Sequence, residues 1–188
     1  MHIIYFHLQE VLSEFPRVFW VDSSIRFKTN NVSLTLDEVF ISGGILTFEP
    51  SIHSNFEAIH EEMYRFLPIS PKEAAGTRQY GANSIYIHRT EEIYTRIVFW
   101  WVLCALREEC VAPTRQLSCN FKGKDVWAGC HRFDQSALNI LMANHFHHDV
   151  SRYTSQRDQL QVSRYEAHKE LVTVCPNGTK QKSAEYLF

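Results

Sequence analysis

The chain has 188 residues, enough for one domain with a real core and barely enough for two. Its 45% hydrophobic and 21% charged content describes a folded protein rather than a disordered or fibrous one. A net charge of -2, with Lys and Arg scattered and never in a run, gives no electrostatic footprint for nucleic acid. No stretch reaches the roughly 18 to 20 continuous apolar residues that span a bilayer, so no membrane segment is expected. MHIIYFHLQEVLSEF lacks the basic start and unbroken apolar core of a signal peptide.

In chain order, Ile4, Leu8, Val11, Leu12 and Phe15 recur at helical spacing and predict an amphipathic helix that Pro16 stops. Val18 to Val21 form a continuous apolar run, as expected of a strand buried on both faces of a parallel or mixed sheet. It ends on Asp22-Ser23-Ser24. A polar connection follows, and after Gly43-Gly44 a second strand is expected over Ile45 to Phe48, closed by Pro50. Ser54 and Glu57 make a capping-box pattern for a helix whose buried face would be Phe56, Ile59, Met63 and Phe66. Residues 68–83, rich in Pro, Gly, Ser and Ala, predict a loop, and Ser84 to His88 a strand. Thr90 can cap a long helix with Ile93, Ile97, Trp100 and Cys104 on one face, Glu91 and Glu92 in its first turn and Arg107 in its last. The stretch 110–130 reads mostly as loop. A helix starting near Asp134 is apolar nearly all round (Ala137, Leu138, Ile140, Leu141, Met142) and should be buried. Edge strands are expected near Val162 and over Leu171 to Val174. Helices alternating with strands make the class α/β, with a mixed sheet and flanking helices. The expected organisation is a single domain over 1–188, with 149–188 a peripheral tail.

Cys104, Cys110, Cys119 and Cys130 lie within one stretch, while Cys175 stands apart. Four clustered cysteines suggest two disulfides and an oxidising compartment, either the secretory-pathway lumen or outside the cell, and their spacing does not fix the pairing. Buried free thiols are the alternative. Zinc would need short Cys-x-x-Cys spacing, which is absent. Asn31-Val-Ser33 and Asn177-Gly-Thr179 are glycosylation sequons, in keeping with a secreted protein.

Two groups could carry chemistry. Asp22 sits at the carboxyl end of its strand, where open α/β sheets place ligands. A carboxylate there suits Mg²⁺ or Mn²⁺ and, through the ion, a phosphorylated ligand. Its plainer role is to cap a turn with Ser23 and Ser24. Asp134, Gln135 and Asn139 open an otherwise apolar helix, which suggests a polyol ligand; the plainer reading is an N-cap Asp and a satisfied buried Asn. Arg26 and His88-Arg89 could neutralise phosphate or lie on the surface. His145, His147 and His148, with His131 or Cys130, could be considered for zinc, although exposed helix-end histidines explain them as well. Cys130-His131 beside Asp134 could suggest thiol catalysis.

The segments WVDSSIRF (Trp20 to Phe27) and CHRFDQSALN (Cys130 to Asn139), with Trp100 or Trp101 ahead of Cys110 between them, resemble a domain family of unknown function that is abundant in nematodes. The resemblance covers most of the chain. That family is similar in turn to GT-A type glycosyltransferases, whose apolar strand ends in an Asp-x-Asp metal site and whose Asp-Gln-x-x-Leu-Asn helix lies across the sugar. The resemblance implies a partial GT-A-like fold. It implies a donor-binding role for Asp22, Ser24 and Arg26, with Asp22 as the metal ligand for Mn²⁺ or Mg²⁺. Asp134, Gln135 and Asn139 would serve the sugar or acceptor as the catalytic group, and the strand in Gly81 to Ile87 would face the acceptor. The partners implied are a nucleotide-sugar and a glycan or protein acceptor. The family pattern also pairs neighbouring cysteines, which makes Cys130 a disulfide partner rather than a nucleophile.

The chain departs from the pattern in two ways. Ser24 stands where the second Asp of the metal motif would be. The chain also begins at the helix before the metal strand, so a GT-A domain without its nucleotide-binding half, inactive alone, is expected. The alternative function is a non-enzymatic, disulfide-stabilised interaction module of the secretory lumen or cell exterior.

Overall fold

Leu8 and Leu12, four residues apart on α1 (Ile3–Glu14), are buried, while Val11 and Phe15 face solvent. The structure is a computed structural model that describes residues 3–31, 33–114, 119, 126–128, 130–163, 172–174 and 180–182. After Pro16 the chain forms β1 (Arg17–Val21), turns at Asp22 and continues as β2 (Ile25–Phe27). The connection that follows carries α2 (Ser33–Ser42), a helix the sequence reading did not anticipate. Gly43 and Gly44, at φ +93° and +112°, end it. Gly44 admits no side chain, because a Cβ there would lie 2.9 Å from the His88 carbonyl oxygen and from Ile93. Next come β3 (Ile45–Thr47), β4 (Pro50–Ser54), α3 (Asn55–Ala58) and a 3₁₀ turn over Glu61–Arg65.

The stretch expected as a loop over 68–83 holds α4 (Pro71–Gly76) and β5 (Arg78–Tyr80). A second capping box explains α4: the Ser70 hydroxyl accepts from the Glu73 amide, Glu73 accepts from the Ser70 amide, and Pro71 opens the first turn. β6 (Ser84–His88) leads to α5 (Glu91–Ile93), where the Thr90 hydroxyl accepts from the Ile93 amide at 3.1 Å. A π-helical turn, Tyr94–Val98, runs on into α6 (Phe99–Ala105). Its wider turn shifts the helical phase, so Trp101 is buried while Trp100, expected inside, is exposed. Arg107 falls beyond this helix, ahead of α7 (Glu108–Val111). Then come α8 (Asp134–His145), β7 (Leu160–Val162) and the paired strands β8 (Val172–Val174) and β9 (Lys180–Lys182).

The central sheet has the order β1-β6-β3 and is antiparallel throughout. An isolated parallel bridge, Thr47 to Thr154, extends its β3 edge. β6 is buried along Ser84–Ile87, whereas β1 is an edge strand and only half-buried, which corrects the expectation of a strand enclosed on both faces. An apolar run does not distinguish a central strand from an edge strand whose two faces are each partly covered. Val18 and Trp20 of β1 pack with Ile45, Ile85, Ile87, α6 and α8 on one face. Phe19 and Val21 pack with Leu46, Phe48, Tyr86 and Val39 on the other. Residues 149–163, expected to be peripheral, send Tyr153, Thr154 and Leu160 into the core. The remainder of that tail lies largely outside the described residues.

The clustered cysteines form two disulfides, Cys104–Cys110 and Cys119–Cys130. The first ties α6 to α7 and the second tethers the segment that leads into α8. Cys175 is outside the described residues. Two disulfides point to an oxidising extracellular or lumenal setting. Among the described residues no helix is long and apolar enough to cross a membrane.

Candidate functional site

Asp22 and Asp134, far apart in sequence, line the same open cleft of about 630 Å³. One wall is the end of β1, with Trp20 and Asp22. A second is the β5–β6 turn, Gly81-Ala82-Asn83. A third is the approach to α8, with Arg132, Phe133, Asp134 and Gln135, and Glu49, Pro50 and Ser51 close the rim.

The sequence builds these walls locally. The Asp22 amide donates to the Asn83 carbonyl at 2.8 Å and the Asp22 carbonyl accepts from the Ile25 amide at 2.9 Å. Asp22 therefore both opens a turn and faces the cleft. Asp22 is exposed, so its carboxylate keeps access to solvent and bears no burial penalty. Phe133 has φ +49° and ψ −115°, a strained conformation for an aromatic residue, and the strain reorients the chain immediately before Asp134. The Asp134 carboxylate accepts from the Gln135 amide at 2.9 Å, and its carbonyl accepts from Trp101 Nε1 at 3.1 Å. Burial pushes the Asp134 carboxyl above its ordinary value, and the nearby charge of Asp22 pushes it the same way. The Gln135 amide and Arg132 pull it back.

Gln135 is buried at the cleft floor and its Nε2 donates to Gln79 Oε1 at 2.9 Å. Asn139 does not reach the cleft, contrary to its expected role on the sugar. It is fully buried; its Oδ1 accepts from the Tyr80 amide, and its Nδ2 donates to the carbonyls of Tyr80 and Gln135, each at 2.8 Å. Asn139 thus positions the turn that forms the second wall. Ser24 and Arg26, expected near a donor, are not among the lining residues. The Ser24 carbonyl accepts from the Ser163 amide, and Arg26 folds back onto the carbonyls of Ser23 and Ile25. Arg89 braces α1 through the Leu12 carbonyl and lies over the Tyr94 ring.

Arg132 is the lining cation that the sequence reading passed over, although it stands inside the quoted CHRFDQ segment. Cys130 is tied to Cys119 and carries no thiol chemistry. His131 is a buried brace between the His60 amide and the Val111 carbonyl. His148 pairs with Glu73 at 3.4 Å. Among the described residues no group of three or more His, Cys, Asp or Glu side chains is arranged to hold a metal ion. Comparison with family models found no match, and neither the curated proteins nor the solved structures gave one.

A carboxyl with a raised pKa favours its protonated form in the folded state. Below the ordinary value of 3.8 Asp134 is protonated folded or unfolded and contributes no difference. As pH rises past 3.8 and through the raised value, the folded state must accept a charge it disfavours, and stability is lost. Asp134→Asn should therefore be more stable than wild type at pH 7, seen as a higher Tm. The gain should shrink toward zero near pH 3. Calorimetric melts across that range check it, and a lower Tm at pH 7 would contradict it.

Proposed function

We propose that this cleft is the sugar-handling site of a glycosyltransferase-like domain with a partial GT-A-type fold. The observation that carries the reading is the convergence of Asp22 and Asp134 on one cleft, from the two segments that bear the family resemblance. Asp22 offers an oxygen donor for a divalent ion. Mg²⁺ and Mn²⁺ are commonly held by one or two carboxylates, with phosphate oxygens and water completing the shell. Asp22, exposed at the edge of the cleft, would hold such an ion, with phosphate oxygens and water completing the shell. Bound there, the ion would neutralise the diphosphate of a nucleotide-sugar, with Arg132 adding a second positive charge. Asp134, made more basic by burial, is suited to take the proton of an acceptor hydroxyl from a glycan or protein. Trp20 and Phe133 supply apolar surface beside these polar groups, the composition of a small-ligand site.

The test is titration calorimetry of the full chain with nucleotide-sugars in Mn²⁺ and in chelator. Metal-dependent binding is expected, weakened at least tenfold, about 1.4 kcal/mol, in Asp22→Asn and Asp134→Asn. Absence of binding to every nucleotide-sugar would overturn the proposal.

A second reading, a non-enzymatic module stabilised by disulfides, is favoured by one observation. Ser24 replaces the second acid of the metal motif, and neither it nor Arg26 lines the cleft. That reading expects both Asn variants to behave as wild type.

A further inference from the structure

We propose that Asn31 is a site of N-linked glycosylation, taking an oligosaccharide from a lipid-linked diphosphate donor as the chain enters an oxidising secretory compartment. Three independent observations meet at this position.

The first is chemical. Asn31-Val-Ser33 has the acceptor pattern, in which a hydroxyl residue stands two places beyond the asparagine and no proline intervenes. The second is accessibility. Asn31, in the connection between β2 and α2, and Ser33, the first residue of α2, are both exposed and belong to neither core cluster. A large polar group here displaces no packed side chain. The third is the compartment. Cys104–Cys110 and Cys119–Cys130 need the oxidising environment in which the glycosylating machinery also works.

The local geometry shows why the modification is compatible with the fold. Asn31 Oδ1 accepts from the Ser33 amide at 3.0 Å, and the Asn31 amide donates to the Thr29 hydroxyl at 3.1 Å. These bonds form an Asx turn that leads the chain into α2. Glycosylation forms a bond between Asn31 Nδ2 and the anomeric carbon of the first sugar. The bond from that carbon to the lipid diphosphate breaks, the diphosphate departs with its electron pair, and Nδ2 loses one proton. The side-chain carbonyl is untouched, so Oδ1 can keep its bond to Ser33 and the turn survives.

The test uses the full chain directed into the secretory pathway of a eukaryotic host, followed by peptide-N-glycosidase digestion and peptide mass mapping. The expected result is one glycan-sized mobility step assigned to position 31. That step should be lost in both Ser33→Ala and Asn31→Asp and retained in Ser33→Thr. Asn31→Asp keeps an acceptor oxygen for the Ser33 amide, so its Tm should match that of wild type made in the same host with N-glycosylation inhibited, where Asn31 stays an unmodified amide, which separates loss of the glycan from loss of the turn. A secreted, disulfide-bonded product unmodified at position 31 would overturn the proposal, as would modification confined to Asn177. The result is independent of whether the cleft transfers sugar.

Discussion

Asn139→Ala should cost about 3–4 kcal/mol of stability and disorder the cleft wall nearest the sheet. Asn139 is fully buried on α8 and makes three side-chain hydrogen bonds, two of them to the backbone amide and carbonyl of Tyr80. Alanine orphans both of those groups, at about 1–3 kcal/mol for each polar group left unsatisfied, and leaves a small cavity besides. The effect should reach the site because Tyr80 leads directly into Gly81-Ala82-Asn83. In that turn the Gly81 amide is fixed by the Glu49 carbonyl at 2.7 Å and the Asn83 carbonyl accepts from the Asp22 amide. Once Tyr80 is released, Asp22 loses the reference that holds it opposite Asp134. Asn139→Asp keeps the size but gives up the donors, placing a carboxylate against two carbonyls. It should be at least as damaging at pH 7 and partly relieved in acid, where protonation restores one donor. Urea denaturation measures the stability, and hydrogen exchange of residues 80–83 measures the release of the turn. A loss below about 1 kcal/mol with unchanged exchange would show that Asn139 does not position this wall.

The parts of this structure legible in the sequence are those whose local and tertiary demands agree. α8 is apolar all round, and its residues from Gln135 to Ala143 are all buried. Thr90 caps its helix because a threonine followed by two acids satisfies the first-turn amides whatever packs nearby. The helix expected over 54–66 shows the opposite case. Its capping box forms, yet α3 ends after one turn. The carbonyls of Phe56 and Glu57 accept instead from the amides of Ala128 and Cys130, and the Ala58 carbonyl accepts from the Ser136 hydroxyl. The disulfide-bearing segment thus takes the acceptors that would have continued the helix, and no local pattern announces a partner some 70 residues away. α2 escaped notice for another reason. Thr35 and Val39 are buried, but Phe40 and Ile41 are 54% and 87% exposed, so apolar residues on the outer face blur the helical period. At the site, the two segments that face each other were legible as motifs, while the direction of each side chain was not. Gln135 and Asn139 lie one helical turn apart, yet the first reaches the cleft floor and the second is spent on Tyr80. That difference is decided by β5, a strand that composition alone reads as loop.

Between pH 6.5 and about 4 the protein should lose about 3 kcal/mol of stability through His131 alone. This imidazole is 1% exposed and joins two chain segments. Its Nδ1 accepts from the His60 amide at 3.2 Å, and its Nε2 donates to the Val111 carbonyl at 2.9 Å. Only the neutral ring can make both bonds, because a protonated Nδ1 has no lone pair to offer. Burial lowers the pKa from 6.5 to about 4, the Val111 carbonyl opposes the shift, and His60 adds to it. The direction follows from linkage. Above 6.5 the ring is neutral in both states and the fold is not penalised. Below 6.5 the unfolded chain binds a proton that the folded chain refuses until pH falls to about 4, so acid favours unfolding across that window. His53 and His145 are also lowered by burial and slope the same way, whereas Asp134 slopes oppositely. The His131 contribution is therefore isolated as the difference between wild type and His131→Gln, whose amide can donate to Val111 without titrating. The variant should be less stable at pH 7, where it fits the pocket less well, and should close the gap as pH falls toward 4. Parallel stability curves for the two proteins from pH 7 to pH 4 would mean that the ring titrates normally, and that His131 does not brace the approach to Asp134 in its neutral form.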